Sequence, residues 1–348
     1  MSAGAEVNAA PDRPRYRVQR WSRSSLTSLG FVLVGLVLLV SVPITLNDNA
    51  VEQFTSLLLF VILAGMWNAL AGYGGLVSVG QQGFIGIGAY ATIWLTQHGV
   101  QPYLAMVLAA GVAAALSLPI SALVLQLRGG QFAIGTWVVA AVLGILVTLD
   151  SSLGGGTGTS LTALNGYGQS TRLRYTYWLT LAFTIVVFGL SWWLLRSRFG
   201  AALQAIRDDE EAAASVGVRV LPLKLVLFVL AAFGCGAAGA MILANTLFIQ
   251  PQSIFGVQWT AYMIFMVLVG GLGTFEGPIL GAVIYFGLQY YFADQGAWYF
   301  VGLGVVAILF ALLLPRGLWS LVEERTQVRL LPVGYRLTRE GSGRRRAG

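Results

Sequence analysis

One stretch of this chain concentrates its ionisable side chains: Arg207, Asp208, Asp209, Glu210 and Glu211, followed by Ala212, Ala213, Ala214 and Gly217. No nucleophile-with-base arrangement accompanies them, so the chemistry on offer is electrostatic docking. Acids that open a segment ahead of alanines fit a short helix carrying negative charge at its positive end. The small residues that follow would let another surface approach closely. A merely solvated acidic patch is the plain alternative, and the chemistry alone leaves both readings open.

Two glycine-rich interruptions supply a second set of candidates. Gly72-Tyr73-Gly74-Gly75 leads into Gly80-Gln81-Gln82-Gly83-Phe84, and Gly270-Gly271-Leu272-Gly273-Thr274-Phe275-Glu276 leads into Gly277-Pro278. Non-helical backbone at membrane depth survives only when buried in protein or lining a water-filled cavity. Paired Gly/Pro interruptions in two halves of a transporter point to its pathway. Gln81, Gln82, Gly83, Phe84, Gly271, Gly273, Thr274 and Gly277 are therefore the candidate pathway residues. For the two glutamines, hydrogen bonding between helices is an equal reading. Glu276 is too costly to be idle at mid-bilayer, and the expected topology puts it at a hydrated cytoplasmic turn.

Other motifs carry less. Gly234-Cys235-Gly236-Ala237-Ala238-Gly239 spells a dinucleotide fingerprint, but it sits inside an apolar span and not in a strand–turn–helix unit. The loop from Gly154 to Ser160 lacks the lysine of a phosphate loop and is expected outside the cell, as a mobile loop near a substrate entrance. Neither a Walker A sequence nor a metal-ligand cluster appears, so any ATP-driven role requires a separate ATPase chain. Ion coupling usually shows as ionisable residues within spans. Here Asp150 and Asp294 fall at span ends, which weakens proton coupling and leaves sodium coupling through backbone oxygens open. Cys235 is the single cysteine and lies in an apolar run, so disulfides and cysteine-ligated zinc are set aside. His98 is expected as a solvated residue of an outer loop.

The elements that position these residues follow from composition. Hydrophobic residues make up 57% of 348 positions and charged residues 10%, far from a soluble domain. About ten apolar segments approach the length of a bilayer span: 29–46, 54–71, 77–96, 103–126, 132–149, 175–195, 222–247, 259–272, 278–293 and 297–314. The segments 259–272 and 278–293 are short and fit equally a single re-entrant element. The expectation is an all-α integral membrane protein, a polytopic bundle with broken or short Gly-rich helices. It comprises an Arg-rich tail at 1–28, a transmembrane domain at 29–315 containing the loop 196–221, and a basic tail at 316–348. The first segment reads as an uncleaved span, and the tails read as poorly ordered. With the first tail inside, all basic residues except Arg172 and Arg174 fall on the inner side, which predicts cytoplasmic termini. The net charge of +7 then reflects membrane lipid and calls for no nucleic acid. Many of the 44 glycines are expected to serve close helix packing.

The run Ala205-Ile206-Arg207-Asp208-Asp209-Glu210-Glu211-Ala212-Ala213-Ala214-Ser215-Val216-Gly217 resembles the coupling loop of permease subunits in ABC importers for branched-chain amino acids. The likeness extends through Lys224 and Phe228 to Val269-Gly270-Gly271-Leu272-Gly273-Thr274, and upstream to Gly75 through Phe84 and Gly88-Ala89-Tyr90. It covers roughly residues 60–315 and is nearest the LivM-type member of the permease pair. Asp209-Glu210-Glu211 is more acidic than the family pattern. The resemblance implies a bacterial inner-membrane subunit paired with a second permease, driven by two cytoplasmic ATPases that hold ATP and Mg, and fed by a periplasmic or surface-anchored binding protein. It implies no cofactor in this chain, and a coupling helix formed by Arg207 to Glu211 with Ala212, Ala213 and Gly217. Relatives carry urea, short amides or aromatic acids, so a urea or amide permease is an alternative. A stand-alone channel or secondary carrier for a small neutral solute is the alternative from another class.

Overall fold

The computed structural model describes residues 16–19, 23–314, 316–326 and 336–339. The rest of the two basic tails, including Arg13, Arg15, Arg20, Arg329, Arg344, Arg345 and Arg346, lies outside them. Within the described residues the chain is overwhelmingly helical, the solution a bilayer imposes on a backbone that must satisfy its own hydrogen bonds. After a short strand β1 (Tyr16–Gln19) come α1 (Arg23–Thr45) and α2 (Asp48–Asn68). The second of these runs on through a π-helical turn, Ala69–Tyr73. Then follow α3 (Gln81–Gln97), α4 (Pro102–Val124) and α5 (Gly130–Leu149), a two-residue strand β2 (Thr159–Ser160), and α6 (Gln169–Arg196). A short pair, α7 (Arg198–Asp208) and α8 (Glu210–Ser215), precedes α9 (Val220–Thr246). Strand β3 (Phe248–Ile249) and the turn α10 (Pro251–Ile254) lead to α11 (Gln258–Gly270) and α12 (Gly277–Phe292). The chain closes with α13 (Ala297–Leu313), α14 (Gly317–Thr326) and strand β4 (Arg336–Arg339).

The apolar windows of α2 and α9 are 78% and 72% buried within the chain, against 28% for α5. Those two helices are therefore the axis, and α4, α5 and α6 are outer walls. Glycines on α9 make its central position possible, each toward a different neighbour. A Cβ on Gly239 would overlap the carbonyl of Ile85 on α3, one on Gly236 would meet Ala113 of α4, and one on Gly234 would meet Met66 of α2. From the other side, a Cβ on Gly88 of α3 would overlap the carbonyl of Gly236. The fingerprint-like stretch 234–239 is thus a packing face. Van der Waals contact at this closeness is what holds helices together in a medium that gives no hydrophobic force between them. Similar contacts close α11 onto α12, where Gly281 lies against the carbonyl of Met266 and Gly270 against that of Gly277. These two short segments form a helical hairpin.

Contacts between elements define two ends of the bundle. At one end β2 pairs antiparallel with β3, Thr159 opposite Ile249, and Gln97 Nε2 donates to Ser152 O at 3.2 Å. The Gly154–Ser160 loop, expected to be mobile, is tied to β3 there. His98 closes α3 at this end, its Nδ1 2.7 Å from Trp94 O. The other end gathers α7, α8, the break after Tyr73 and the α11–α12 tip. The start of α14 joins them, because Gly271 lies against the carbonyl of Arg316. Strand β1 pairs with β4, Tyr16 opposite Arg339, so short strands join tails that composition predicts to be unstructured.

Each expected apolar segment is helical over most of its length, but fewer than the expected ten or so are long enough to count as spans. Six helices are long and apolar enough to cross a bilayer, counting α2 with its π turn and α10 in line with α11. A seventh is reached if α13 and α14, bent by 45° at their junction, form one broken span. Of the four remaining segments, α1 is apolar over Leu33–Thr45, and the other three are shortened by glycine and proline. The backbone at 77–80 is not helical and Gly277-Pro278 restarts a helix. α3, α12 and α13 are left at 17, 16 and 17 residues, roughly 25 Å each at 1.5 Å per residue.

A substitution separates close packing from mere glycine content. Gly88→Ala is expected to lower the thermal midpoint of the purified protein, corresponding to about 1–3 kcal/mol of overpacking. Gly111→Ala, on α4 with open space around its Cα, should be neutral or slightly stabilising. Fluorescence-detected size exclusion after heating checks both.

Candidate functional site

The charged run at 207–211 is divided between two helices. Composition predicts one short helix opened by four acids, but Asp209 adopts φ −157° and ψ 107° and breaks it. Its carboxylate caps the second helix, accepting from the backbone N–H of Glu211 at 3.0 Å and of Ala212 at 2.9 Å. An aspartate is better placed as an N-cap than within a helix, because its side chain satisfies otherwise orphaned donors. Arg207 and Asp208 therefore end α7, while Glu210 and Glu211 open α8. Gly217, at φ +89°, ends α8 by a left-handed turn in which Val218 N donates to Ala213 O at 3.1 Å, the chirality that favours glycine there.

Three polar links fasten this helix pair to the bundle. Glu210 Oε2 accepts from Lys224 Nζ of α9 at 2.6 Å, and the lysine side chain is only 6% exposed. Arg207 Nη1 donates to the carbonyl of Gly72 at 2.9 Å, an oxygen left without a helical partner where the π turn ends. Its other nitrogens hold Asp208 Oδ1 at 2.9 and 3.1 Å. Glu211 reaches Arg128 at 2.9 Å, but both side chains are largely exposed, and such a pair contributes little. Ala213 is buried under α8, while Ala212, Ala214 and Val216 are exposed, Val216 at 79%. The outward face is thus small and apolar beside a carboxylate.

The second glycine interruption meets the first at this point. Asn68 Oδ1 accepts from Gly273 N and Asn68 Nδ2 donates to Thr274 O, both at 2.8 Å. A single side-chain amide so holds the tip of the α11–α12 hairpin. Thr274 Oγ1 donates to Gly271 O at 2.7 Å and accepts from Gly277 N at 3.1 Å, which caps the turn from within. Gly273 has φ +74° and lies 3.3 Å, measured from an added Cβ, from the Arg207 guanidinium. Gly72, Gly273 and Arg207 are therefore in one cluster. Glu276, expected at a hydrated turn, is 7% exposed, because α12 starts inside the bundle and not at its surface.

Gln81 and Gln82 are fully buried with Gly83 and Phe84 at the start of α3. Gln81 Nε2 donates to Ser78 Oγ at 3.2 Å, and its Oε1 accepts from Cys235 Sγ of α9 at 3.3 Å. Gln82 Nε2 donates to Val79 O at 2.9 Å, and its Oε1 accepts from Thr260 Oγ1 of α11. Gly83 lies against Ala140 of α5, and the Phe84 ring meets Phe228 edge-on at 5.5 Å. Each amide thus stitches the unwound 77–80 segment to a neighbouring helix. Two residues escaped the sequence reading of the site. Asn68 carries the signal of an amide inside an apolar run, where it must find partners. Lys224 carries that of a cation one turn into a span.

The geometry defines a helical membrane bundle with a charged helix pair docked on one end and glycine turns beneath it. Residues 49–314 match the family described as the branched-chain amino acid transport system permease component. The chain belongs to that family, and is a permease component of an ABC transporter. It is 27% identical over 343 residues to the high-affinity branched-chain amino acid permease protein LivM of Escherichia coli, covering 91% of this chain and 80% of that one. It is 26% identical over 195 residues to the autoinducer 2 import permease protein LsrC of Photorhabdus luminescens, covering 51% and 59%. A solved chain of a metal-chelate type ABC transporter in an inward-facing conformation is 17% identical over 85% of this chain and 99% of its own, with a TM-score of 0.41.

The Glu210–Lys224 pair yields a double-mutant test. Glu210→Gln strands a buried ammonium, with an expected loss of roughly 2 kcal/mol, less than for a fully buried pair because Glu210 is part-solvated. Adding Lys224→Met should recover most of that loss, as read from thermal midpoints of the two variants.

Proposed function

We propose that this chain is one of two permeases in an importer for branched-chain or related small amino acids, with α7 and α8 as its coupling element. The observation that carries the reading is the linkage around Arg207. It ties the solvent-facing helix pair to the break after α2 at Gly72, and through Asn68 and Gly273 to the α11–α12 hairpin. A partner ATPase pressing on the exposed Ala212, Ala214 and Val216 would move α8 as a body. Lys224 would then carry the displacement to α9, and Arg207 would carry it to α2 and α12. Interfaces that are packed and bistable convert such a shift into rigid-body motion of helices.

In this reading two cytoplasmic ATPases hold ATP and Mg, a second permease completes the pathway, and a periplasmic or surface-anchored binding protein delivers the solute. α1, α3, α12 and α13 complete their crossings in company with neighbouring helices, giving ten traversals of the inner membrane and both tails on the cytoplasmic side. Two features support this topology: the concentration of basic residues at the acidic-helix end, and the nearness of Arg316 to Gly271. The likeness to LivM over most of both chains favours an amino acid over urea or a short amide.

The complex reconstituted in liposomes tests the assignment. Asp209→Arg combined with Glu210→Arg is expected to abolish ATP-driven uptake, to at most about a hundredth of wild type, with membrane insertion intact. Unimpaired uptake would overturn the coupling role. Flux through this chain alone, without ATPase or binding protein, would instead favour a channel or carrier.

A further inference from the structure

A second polar constellation lies at the end of the bundle away from the acidic helices. Asn49, Glu52, Gln53 and Ser56 stand at i, i+3, i+4 and i+7 along the first turns of α2, so they share one helix face. Gln289 and Tyr290 near the end of α12 face them, with Phe286 alongside, around a cleft of about 340 Å³. Pockets for small molecules begin at about this size. Among the described residues, the side chains of Asn49, Glu52, Gln53 and Gln289 make no hydrogen bond or ion pair with the rest of the chain. Behind them Asn245 Nδ2 donates to Ser56 Oγ at 3.4 Å, while its buried Oδ1 has no partner. A carboxylate and three amides on otherwise apolar spans would be costly against lipid, and an unpaired buried acceptor is costly anywhere. The face is therefore turned to water and to whatever solute water brings.

The mixture of groups selects a chemical class. A lone carboxylate suits any cation, but here amide donors surround it and an aromatic ring adds apolar surface. That set complements a small zwitterion bearing an apolar side chain. We infer that this cleft is a receiving site for such an amino acid, in which Glu52 accepts from the substrate ammonium. The amides of Asn49, Gln53 and Gln289 donate to its carboxylate, and Phe286 meets its side chain. A charge-assisted contact of this kind is among the stronger hydrogen bonds. Urea and short amides carry no ammonium and would gain little from Glu52. The inference rests on the amino-acid reading above and adds the residues that recognise the substrate.

The test uses the complete complex in liposomes, with L-leucine and urea as probes and saturating loaded binding protein. Glu52→Gln is expected to cut leucine uptake at least tenfold, roughly the effect of one charge-assisted hydrogen bond, with basal ATP hydrolysis unchanged. Glu52→Asp should restore part of the uptake, which a purely structural role would not predict. In a Glu52→Cys variant, a membrane-impermeant thiol reagent added opposite the ATPases should label this chain, and L-leucine should protect it. The native Cys235 is buried and does not compete. Wild-type leucine uptake by Glu52→Gln, or labelling that leucine does not slow, overturns the assignment of Glu52 while leaving the transporter reading in place. A wild-type complex that takes up urea and no leucine overturns both.

Discussion

The approach of α3 to α9 is the constraint on which the rest of the structure depends. Gly88 and Gly236 bring two backbones together at a distance no side chain would permit, and Gly239 does the same against Ile85. In lipid such contacts stand in for the hydrophobic force that would assemble a soluble core. Once α9 is seated against α3, Gln81 can reach Cys235 and Gln82 can reach Thr260. Those amides hold the unwound segment before α3 through Ser78 and Val79. The same seating brings Lys224 to the end of the bundle where Glu210 waits. A bulkier residue at Gly88 would be felt at both places.

Buried polar links carry the connection from that core to the acidic helices. Surface ion pairs such as Arg128–Glu211 are too solvated to hold geometry. Lys224–Glu210 and the Arg207–Gly72 bond differ because one partner in each lies within the bundle. The choice of a backbone carbonyl as acceptor for Arg207 also matters. Gly72 O is free only because the π turn ends there, so the arginine reports the conformation of the break itself. A change in that break would release the guanidinium, and a displaced α7 would strain the break.

Much of this was legible in the sequence, and the misses have physical reasons. The charged run announced a solvent-facing element, but a helix-only reading of Asp209 overlooked that its side chain competes as a cap. Hydropathy located the apolar helices and already marked 278–293, now α12, as short, yet it could not say that α3 and α13 would also fall short of a bilayer. Gln81 and Gln82 stood out as polar residues beside glycines, while their partners Cys235 and Thr260 are more than 150 positions away and have no local signature. The most instructive miss is the start of α2. An apolar threshold sets that segment at 54–71 and so excludes its polar first turns. The helix in fact begins at Asp48, with Asn49, Glu52 and Gln53 on the exposed face that lines the cleft.

The two polar ends of the molecule are joined by the same helices. α2 bears the cleft on its first turns and Asn68 at its end, with Gly72 in the π turn that follows, while α12 runs from the capped turn at Gly277 to Gln289 in the cleft wall. Sixteen helical residues span roughly 24 Å, and a hydrogen-bonded helix tilts as a rod more readily than it bends. Asn68 fixes α2 to the hairpin tip at one end, whereas at the other end no hydrogen bond joins the side chains of Glu52 and Gln289 among the described residues. The two helices are therefore clamped below and unclamped above. A tilt of one against the other about that clamp changes the width of the cleft with little change at Gly273. In the reading proposed above the clamped end is the driven one, and an element fastened there and open at the cleft suits alternating access.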